Sequence, residues 1–433
     1  MPALLSYHLR RLGSRLHRMR IALRVSGWRA LLRRMFAPPL ATVDQAPAAP
    51  SSTLPAIASD SGFSVSRPRR WLLIDVAVPR PDRDSGSLRA YNLIRLLRAE
   101  GDAVEFLPDR REEAGGYAEA LREMGVVVHQ GRDRAPYPQW FAHHLARFDM
   151  LVISRYHLAE FLTPLARRVA PETCVILDTV DLHHLREQRE AELRDDSTLR
   201  RLARSTRRRE LAAVSAAHVV WVVSHVERDL LQRALPGVRV EVLPNIHEAV
   251  ATSAGFGSRQ GLLFIGGARH PPNVDAVDWL LGEIFPRIRL TLPDCALHLV
   301  GEGLSRLPSV RRAGPGVVVH DHVPRLEPLL DACRVGLAPL RYGAGVKGKM
   351  NICMAHGMPV VATTCAAEGM HLEHDGDVLL ADDADALATA AIRAYQDQAL
   401  WQRLSANGLR HVQQHFSFDV ARRALAATCA VGR

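Results

Sequence analysis

From Trp71 onward the chain alternates short apolar runs with segments of helical period, and this alternation limits the fold more than any other feature. The apolar runs have the length and the β-branched content of buried strands. Helical patterns separate successive runs, which is typical of parallel strands joined by crossover helices. We therefore expect an α/β fold with mainly parallel sheets. The predicted strands are 71–78, 103–107, 126–129, 149–154, 174–178, 218–224, 240–243, 262–266, 296–300, 317–320, 335–339, 359–364 and 378–381.

The length of the chain predicts more than one domain, because 433 residues exceed what a single hydrophobic core usually supports. A second series of strands and helices begins at Gly261. We expect two Rossmann-like domains, residues 68–250 and 251–433, with a last helix that can pack back on the first domain. Ligands of such folds usually bind at the carboxyl ends of the strands, so a central cleft between the domains is the expected site. Residues 37–67, rich in Pro, Ala and Ser, predict a flexible linker.

The net charge of +10 comes almost entirely from residues 1–36, which contain nine arginines and no acidic residue. Subtraction leaves 10 − 9 = +1 for the remaining chain. A nearly neutral body argues against a nucleic-acid-binding domain, which would carry its basic charge on a folded surface.

The basic segment 1–36 also has a helical pattern. Apolar residues recur at spacings of four and three, and arginines occupy much of the remaining surface, as in a cationic amphipathic helix. Such a helix can lie on an anionic membrane surface, which would place the protein peripherally on the inner membrane. A helix docked on its own protein, or a partly ordered tail, explains the same pattern, and these alternatives stay open. The apolar stripe consists of Leu5, Leu9, Leu12, Leu16, Met19 and Leu23.

The cysteines indicate a reducing compartment. Six cysteines are scattered along the chain and form no Cys-x-x-Cys pair, which argues against a disulfide framework and against a zinc site. No apolar run of about 18 residues is present, so no membrane-spanning helix is predicted. We expect a cytoplasmic protein that needs no metal and no bound cofactor.

Lysine is confined to one glycine-rich loop. Of the 56 basic residues only two are lysines, and they are Lys347 and Lys349 in Tyr342-Gly343-Ala344-Gly345-Val346-Lys347-Gly348-Lys349. A lysine ammonium is a compact charge that suits a phosphate approached through a tight backbone turn. The loop follows a predicted strand and opens a helix predicted at 350–356, so backbone amides and a helix N-terminus can bind an anion there. A nucleotide diphosphate is the expected occupant, and an exposed basic loop is the alternative.

The same loop matches a second pattern. Residues 343–348 spell G-x-G-x-x-G, and Glu368 lies after the next predicted strand. That fingerprint normally opens a dinucleotide-binding domain at its first strand, whereas here it comes late in the domain. A nicotinamide-dependent oxidoreductase is therefore the weaker alternative.

Four ordered segments in the second half carry a family resemblance: Phe264–Asp275, Val300–Gly303, Gly336–Lys349 and Met354–Thr363. Together with the closing His415–Phe418 they resemble the C-terminal domain of family 4 glycosyltransferases with the GT-B fold, the bacterial glycosyl transferases of group 1. Two segments of the first half, 78–89 and 178–187, look like N-terminal-domain segments of one bacterial branch of that group. The resemblance covers about residues 70–420.

This resemblance implies a hexosyltransferase-like enzyme. It implies transfer of a sugar from a nucleotide-diphosphate sugar to a saccharide or lipid-linked acceptor in envelope or exopolysaccharide synthesis, with retention of anomeric configuration and without a metal. The expected catalytic residues are Lys347, Lys349, Asp181 and His183. The expected donor-binding residues are Gly267, Arg269, Asn273, Arg341, Gly345, Val346, Gly348 and Glu368. The expected acceptor-side residues are Asp84, Gly86, Ser87, Arg89 and Arg186.

The chain departs from the family pattern at one place. Family members commonly carry two glutamates eight positions apart, and the second binds the ribose hydroxyls of the donor. The corresponding residues here are Ala344 and Ile352. An isoleucine side chain cannot accept a hydrogen bond, so the ribose is bound from elsewhere or weakly. A non-catalytic nucleotide-sugar-binding protein on a transferase scaffold therefore stays an alternative.

Overall fold

The computed structural model describes residues 2–36, 68–110, 114–131, 135–250, 252 and 254–429. The linker predicted at 37–67 lies outside the described residues. Contacts between Cα atoms divide the chain into two compact units. The first comprises Met1–Arg80, Leu93–Asp178 and Ala213–Val219, and the second comprises Pro81–Asn92, Thr179–Ala212 and Val220–Arg433. The domain boundary that we placed near residue 250 stays a prediction.

The predicted α/β architecture is confirmed, because every paired strand with a defined register is parallel. The first sheet is formed by β1 (Arg70–Asp75), β2 (Ala103–Pro108), β3 (Val127–Val128), β4 (Met150–Ser154), β5 (Cys174–Asp178), β6 (Val219–Val222) and β7 (Val240–Val242). Its strand order is β3-β2-β1-β4-β5-β6-β7. Order reverses at β1, and such a reversal in an open parallel sheet is where ligands commonly bind.

The second sheet is also parallel and open. Its strands are β8 (Leu262–Ile265), β9 (Leu297–Val300), β10 (Val317–His320), β11 (Val335–Ala338), β12 (Val360–Ala362) and β13 (Leu379–Leu380). The order β10-β9-β8-β11-β12-β13 reverses at β8. The glycine-rich loop leaves the carboxyl end of β11, which lies directly beside β8.

Helices connect the strands. In chain order they are α1 (Pro2–Phe36), α2 (Ser85–Ala99), α3 (Gly116–Glu123), α4 (Tyr137–His144), α5 (Tyr156–Val169), α6 (His183–Leu193), α7 (Ser197–Ala216), α8 (His225–Ala234), α9 (Pro271–Trp279), α10 (Phe285–Thr291), α11 (Pro308–Arg311), α12 (Glu327–Ala332), α13 (Gly348–Ala355), α14 (Thr364–Ala367), α15 (Ala384–Gln396), α16 (Gln398–His415) and α17 (Phe418–Cys429). A π-helical turn, Leu280–Ile284, joins α9 to α10.

Burial explains why the strands read as continuous apolar runs. All five residues of β4 are buried, and so are all four residues of β6 and of β11. Strands covered by helices on both faces have no polar side, so apolar and polar residues do not alternate along them.

The last helix, α17, contacts β6 and β7. Trp221 Nε1 donates to Thr428 Oγ1 at 2.9 Å, and the Thr428 hydroxyl also bonds to Glu241.

The basic N-terminal segment forms the predicted helix, α1, and that helix docks within the first unit. Tyr7 is buried against Phe161 of α5, with the two ring centroids 5.6 Å apart. Ser14 Oγ donates to the carbonyl of His157 at 3.2 Å. One sequence alternative, a helix docked on its own protein, therefore holds for this face of α1. Among the described residues, no helix combines the length and the apolar content needed to cross a membrane.

Candidate functional site

Both lysines of the chain lie in the glycine-rich loop, and both are hydrogen-bonded to uncharged groups. Lys347 is 7% exposed, and its Nζ donates to the carbonyls of Ala344 at 2.9 Å and of Gly345 at 2.6 Å. Lys349 Nζ donates to Asn273 Oδ1 at 2.5 Å and lies 4.7 Å from the centroid of the Phe264 ring. Each ammonium is thus held by uncharged groups.

The surroundings of the two lysines lower the pKa of both side chains. Burial, reinforced by the neighbouring Lys347 ammonium, lowers the pKa of Lys349 to about 7. Burial also lowers the pKa of Lys347. Among the described residues no carboxylate lies within ion-pair distance of either ammonium, although the charges of Glu227, Glu368 and Asp181 oppose the fall of the Lys347 pKa. Because burial makes the charged form of both side chains costly, a bound anion would stabilise the two ammonium groups.

The N-terminus of α13 adds to this positive character. Lys347 occupies the N-cap position, and no side chain of the described residues caps the helix there. The first amides of a helix have no partner inside it, and they form the positive end of the helix dipole. The two lysines therefore lie at the uncapped N-terminus of this helix, the arrangement that we predicted for an anion site.

A second predicted segment lies directly against the loop, within the same unit. Gly345 has a φ of +66°, and a Cβ built there would lie 3.0 Å from Asp181 Cβ and 3.3 Å from the Val180 carbonyl oxygen. Val180 itself has a φ of +65°. That conformation is rare for a β-branched residue and such strain is concentrated at functional sites. The loop and the chain after β5 are therefore in close contact, and only glycine fits at position 345.

The three predicted residues that follow β5 are close together. Arg186 forms an ion pair with Asp181, and His183 Nδ1 lies 3.3 Å from Asp181 Oδ1. Buried Glu210 accepts bonds from the backbone amides of His183 at 3.1 Å and of His184 at 3.0 Å, so it caps α6. Asp181, His183 and Arg186 thus form one bonded group, and their catalytic roles stay predictions.

The predicted acceptor-side residues other than Arg186 lie at the start of α2. Asp84 accepts bonds from the backbone amide and the hydroxyl of Ser87, both at 2.8 Å, so Asp84 is the cap of this helix. A Cβ built on Gly348 would lie 2.2 Å from Ser85 Oγ, which brings the N-termini of α2 and α13 together. Gly86 is in the first turn of α2 and so lies next to this contact.

Arg89 has a different environment from the other acceptor-side residues. It is 2% exposed, and its Nη1 donates to the carbonyls of Leu243 at 2.8 Å and of Pro244 at 2.7 Å. A buried guanidinium bonded to main-chain carbonyls fixes the chain after β7. Its predicted contact with an acceptor is not supported by these bonds and stays a prediction.

The two predicted donor-binding arginines have carboxylate partners. Arg269 forms an ion pair with Glu302. Arg341 binds Asp275 through two bonds of 2.9 Å and 2.5 Å, with its guanidinium 5.3 Å from the Trp279 ring centroid. These arginines are therefore neutralised by their neighbours, unlike the two lysines.

The remaining donor-binding residues hold the backbone around the lysines. Asn273 Nδ2 donates to the Gly267 carbonyl at 3.0 Å while its Oδ1 accepts from Lys349. The Val346 carbonyl accepts from Asn245 Nδ2 at 3.4 Å. Asn273 thus connects the turn after β8 to the lysine loop.

Arg189 of α6 was not predicted, although it binds two parts of the expected site. Its guanidinium donates two bonds of 2.7 Å to the Glu368 carboxylate and one of 2.8 Å to the Gly343 carbonyl. These partners are 179 and 154 residues away in sequence. Nothing local distinguishes this arginine from its neighbours in α6, so no sequence pattern could have found it.

Two buried carboxyls near the Asp181 group were also not predicted. Burial raises the pKa of Glu187 to about 7, although it accepts a bond of 2.5 Å from the Thr206 hydroxyl. Burial raises the pKa of Glu227 to about 7, and it accepts from the Leu182 amide at 3.0 Å. Both carboxyls can take up or release a proton near neutral pH.

Within the described part of the chain, no three His, Cys, Asp or Glu side chains are grouped to hold a metal ion.

Ile352 lies where the family pattern has a glutamate. Its side chain is half-buried and packs against the core of the second unit. Its main-chain carbonyl lies 3.0 Å from His356 Nδ1. The position therefore provides an apolar surface, as the sequence predicted.

Comparison with known sequences assigns part of this unit to a family. The family described as glycosyl transferases group 1 matches residues 259–397, which include both lysines and Glu368. A curated relative, an uncharacterized 44.6 kDa protein in the cps region of Klebsiella pneumoniae, is 23% identical over 163 residues. That match covers 36% of this chain and 42% of the length of the relative.

Solved structures match most of the chain. Sucrose-phosphate synthase from Thermosynechococcus elongatus has a TM-score of 0.66 at 16% identity, over 84% of this chain and 98% of its own. HepE from Anabaena, in complex with UDP and glucose, has a TM-score of 0.64 at 13% identity, over 84% and 100%. A Staphylococcus aureus TarM mutant has a TM-score of 0.66 at 8% identity, over 83% and 99%. At these identities the likeness establishes a shared fold, the GT-B fold. Residues 259–397 therefore match the glycosyl transferases group 1 family, in a chain with the GT-B fold.

Proposed function

We propose that this protein is a glycosyltransferase that uses a nucleotide-diphosphate sugar as donor. The observation that carries the proposal is the pair of ammonium groups of buried Lys347 and half-buried Lys349, with neutral hydrogen-bond partners beside an uncapped helix N-terminus. The diphosphate gains negative charge as it leaves the sugar, and fixed positive groups stabilise that charge in the transition state. HepE, which has the same fold, has been solved with UDP-glucose, so a UDP-sugar is the first donor to test.

In the proposed reaction the bond between the anomeric carbon and the diphosphate oxygen breaks, and the acceptor oxygen bonds to the same carbon. Retention of configuration follows if the acceptor enters on the face that the diphosphate leaves. The lysines supply the charge that a divalent metal provides in other transferases, so the reaction is metal-independent. The acceptor proton passes to a phosphate oxygen of the leaving group or to Asp181, with His183 bonded beside it.

Other residues act through position. Arg189 fixes the Glu368 carboxylate and the Gly343 carbonyl at the same time, so it orients the lysine loop toward a sugar that Glu368 contacts. Asn273 orients the Lys349 ammonium. The acceptor is a saccharide or a lipid-linked saccharide of envelope or exopolysaccharide synthesis, bound near Gly86 and Ser87, and the enzyme works at the membrane periphery.

A panel of nucleotide sugars tests the proposal. The purified protein is incubated with UDP-, GDP- and dTDP-sugars without added metal, and release of the nucleoside diphosphate is measured with and without a chelator. We expect slow hydrolytic release from one donor, unchanged by the chelator, and a freed sugar whose anomeric coupling, recorded before mutarotation, matches that of the donor. Loss of release in the chelator would refute metal independence, and an inverted product would refute retention.

One observation favours a second candidate, a non-catalytic nucleotide-sugar-binding protein: the apolar side chain of Ile352. Binding of UDP or GDP without turnover of any donor would support it. Tight NADH binding without binding of either nucleoside diphosphate would instead favour the oxidoreductase alternative.

A further inference from the structure

Helix α1 exposes its leucines although it is docked on the first unit. Ten large apolar side chains are exposed among the described residues, and five of them lie on this one helix. The other five are scattered over separate elements. Contiguous exposed apolar surface of this kind marks an interaction site. The five side chains and their exposed fractions are Leu5 63%, Leu9 60%, Leu12 55%, Leu16 46% and Met19 40%.

The face that docks is the opposite one. Tyr7, Ser14 and His17 are buried, with 3%, 1% and 6% exposure. At about 100° per residue these three positions lie across the helix from the leucine stripe. The helix therefore docks through a face that includes a serine and a histidine, while five large apolar side chains stay exposed. Among the described residues, its apolar face does not pack into the core of the first unit. That face is available to another surface.

The charge around the stripe indicates which surface. Arg15 and Arg20 are exposed, and the helical period places them on the two edges of the stripe. Residues 1–36 contain no acidic side chain that could pair with them. An apolar strip with cationic edges is complementary to a layer of anionic headgroups over acyl chains. A second copy of α1 would bring cationic edges together and is disfavoured by repulsion.

We propose that α1 is a membrane-binding face that stays docked on the protein while its leucine stripe inserts into an anionic lipid surface. The stripe from Leu5 to Met19 is about 21 Å long, enough to lie along the interface. Because the helix is held through Tyr7 and Ser14, the membrane would hold the first unit in one orientation. The proposal extends the membrane-borne acceptor of the proposed function, but lipid binding does not require turnover.

Vesicle sedimentation of the full chain tests it. Binding to phosphatidylcholine vesicles is compared with binding to vesicles that also contain phosphatidylglycerol. The wild-type protein is expected to bind the anionic vesicles. The variant Leu9→Ser/Leu12→Ser/Leu16→Ser is expected to lose at least about 100-fold in affinity for them, since three apolar side chains no longer insert. The matched control, Val127→Ser/Leu290→Ser/Val318→Ser, removes three exposed apolar side chains elsewhere and is expected to bind like the wild type.

Two results would overturn the proposal. One is equal vesicle binding by the leucine variant and the wild type. The other is a concentration-dependent dimer in light scattering that the leucine variant abolishes, because a second copy would then cover the stripe. The variant Arg15→Gln/Arg20→Gln provides an independent check that leaves the apolar stripe intact, and it is expected to lose the preference for anionic vesicles. A protein that binds vesicles but releases no nucleotide would refute the proposed function and leave this proposal standing.

Discussion

The lysine loop and helix α1 are both positively charged, yet their charges are held in opposite ways. Lys347 is buried and Lys349 half-buried, and both ammonium groups are bonded to uncharged oxygens. Among the α1 arginines whose side chains the structure describes, Arg15 and Arg20 are exposed and Arg11 is paired with Asp109 at 3.3 Å. Arg18 is half-buried, and burial lowers its pKa. Burial raises the free energy of the lysine charges, whereas solvent screens the arginine charges.

This difference indicates two kinds of anion. A buried, uncompensated charge favours one small ligand that enters the site and replaces the lost water, such as a diphosphate. An exposed cationic strip interacts with an extended anionic surface through a field that salt weakens. Net charge alone would have predicted the same kind of binding partner for both regions. The difference in burial of their charged side chains predicts different partners.

The largest expected effect is on turnover, after removal of the lysine charges. The variant Lys347→Met/Lys349→Met should lower kcat/KM about 100-fold or more, because both groups act on the leaving diphosphate. Thermal unfolding should shift little, since uncompensated buried charges do not stabilise the fold. Steady-state kinetics and calorimetry measure the two quantities. The control Arg325→Ala removes an exposed charge in the same unit and should keep wild-type turnover. Wild-type turnover in the lysine variant would show that the loop charges are not catalytic.

The next largest expected effect is a difference in salt dependence between anion binding by helix α1 and by the lysine loop. Raising NaCl from about 50 mM to about 500 mM should weaken vesicle binding at least about tenfold, because it shortens the screening length at the exposed arginines. The same change should weaken UDP binding less than about threefold, because the lysines are buried. Sedimentation and calorimetry at both concentrations give the comparison. Equal salt dependence would mean that the two regions bind anions in the same way.

Arg189 tests whether the charge in the loop also has to be oriented. Arg189→Ala should lower kcat/KM about tenfold, since it releases both Glu368 and the Gly343 carbonyl. Arg393→Ala breaks another arginine–carboxylate pair in the same unit, the 2.8 Å contact with Asp375, and should change kcat/KM less than about twofold. If kcat falls while KM for the donor is unchanged, orientation in the transition state is the affected step. A loss that appears equally in both variants would indicate general destabilisation.

The smallest effect expected is on the pH dependence of nucleotide binding. The pKa of Lys349 is about 7 in the free protein, and a bound diphosphate raises it by opposite charge. Binding therefore takes up a proton, and affinity is highest below the free pKa and falls as pH rises above it. From about pH 7 to about pH 8 the affinity for UDP should fall about fivefold. Titrations in buffers of different ionisation enthalpy measure both quantities. In Lys349→Met this dependence should disappear, and its persistence would assign the proton to another group.

The elements of the fold were largely predictable from the sequence because they depend on local pattern. The run that predicted a strand at 174–178 forms β5 over the same residues, and 317–320 forms β10. The strand predicted at 71–78 ends at Asp75, because the residues after it form bends and turns at the carboxyl end of β1. Helix α5 was not predicted, and it contains Pro164, which interrupts the usual helical signal.

The site was predictable where one segment carries it and not where distant segments meet. The two lysines, the glycines and the start of α13 lie in one loop, so their sequence predicted their proximity. The contact of Arg189 with Glu368 depends on how α6 packs, and no local pattern encodes it. Similarly, the leucine pattern predicted the stripe of α1, but only packing determines that Tyr7 and Ser14 are the residues that dock.

The central claim, that the two lysines of the loop, which have no ion-pair partner, bind a diphosphate, is tested most directly by calorimetric titration with UDP and with uridine. The wild-type protein should bind UDP at least about 100-fold more tightly than uridine, and Lys347→Met/Lys349→Met should bind both with similar, weak affinity. Equal affinity of the wild-type protein for UDP and uridine, or an undiminished preference for UDP in the variant, would contradict the claim.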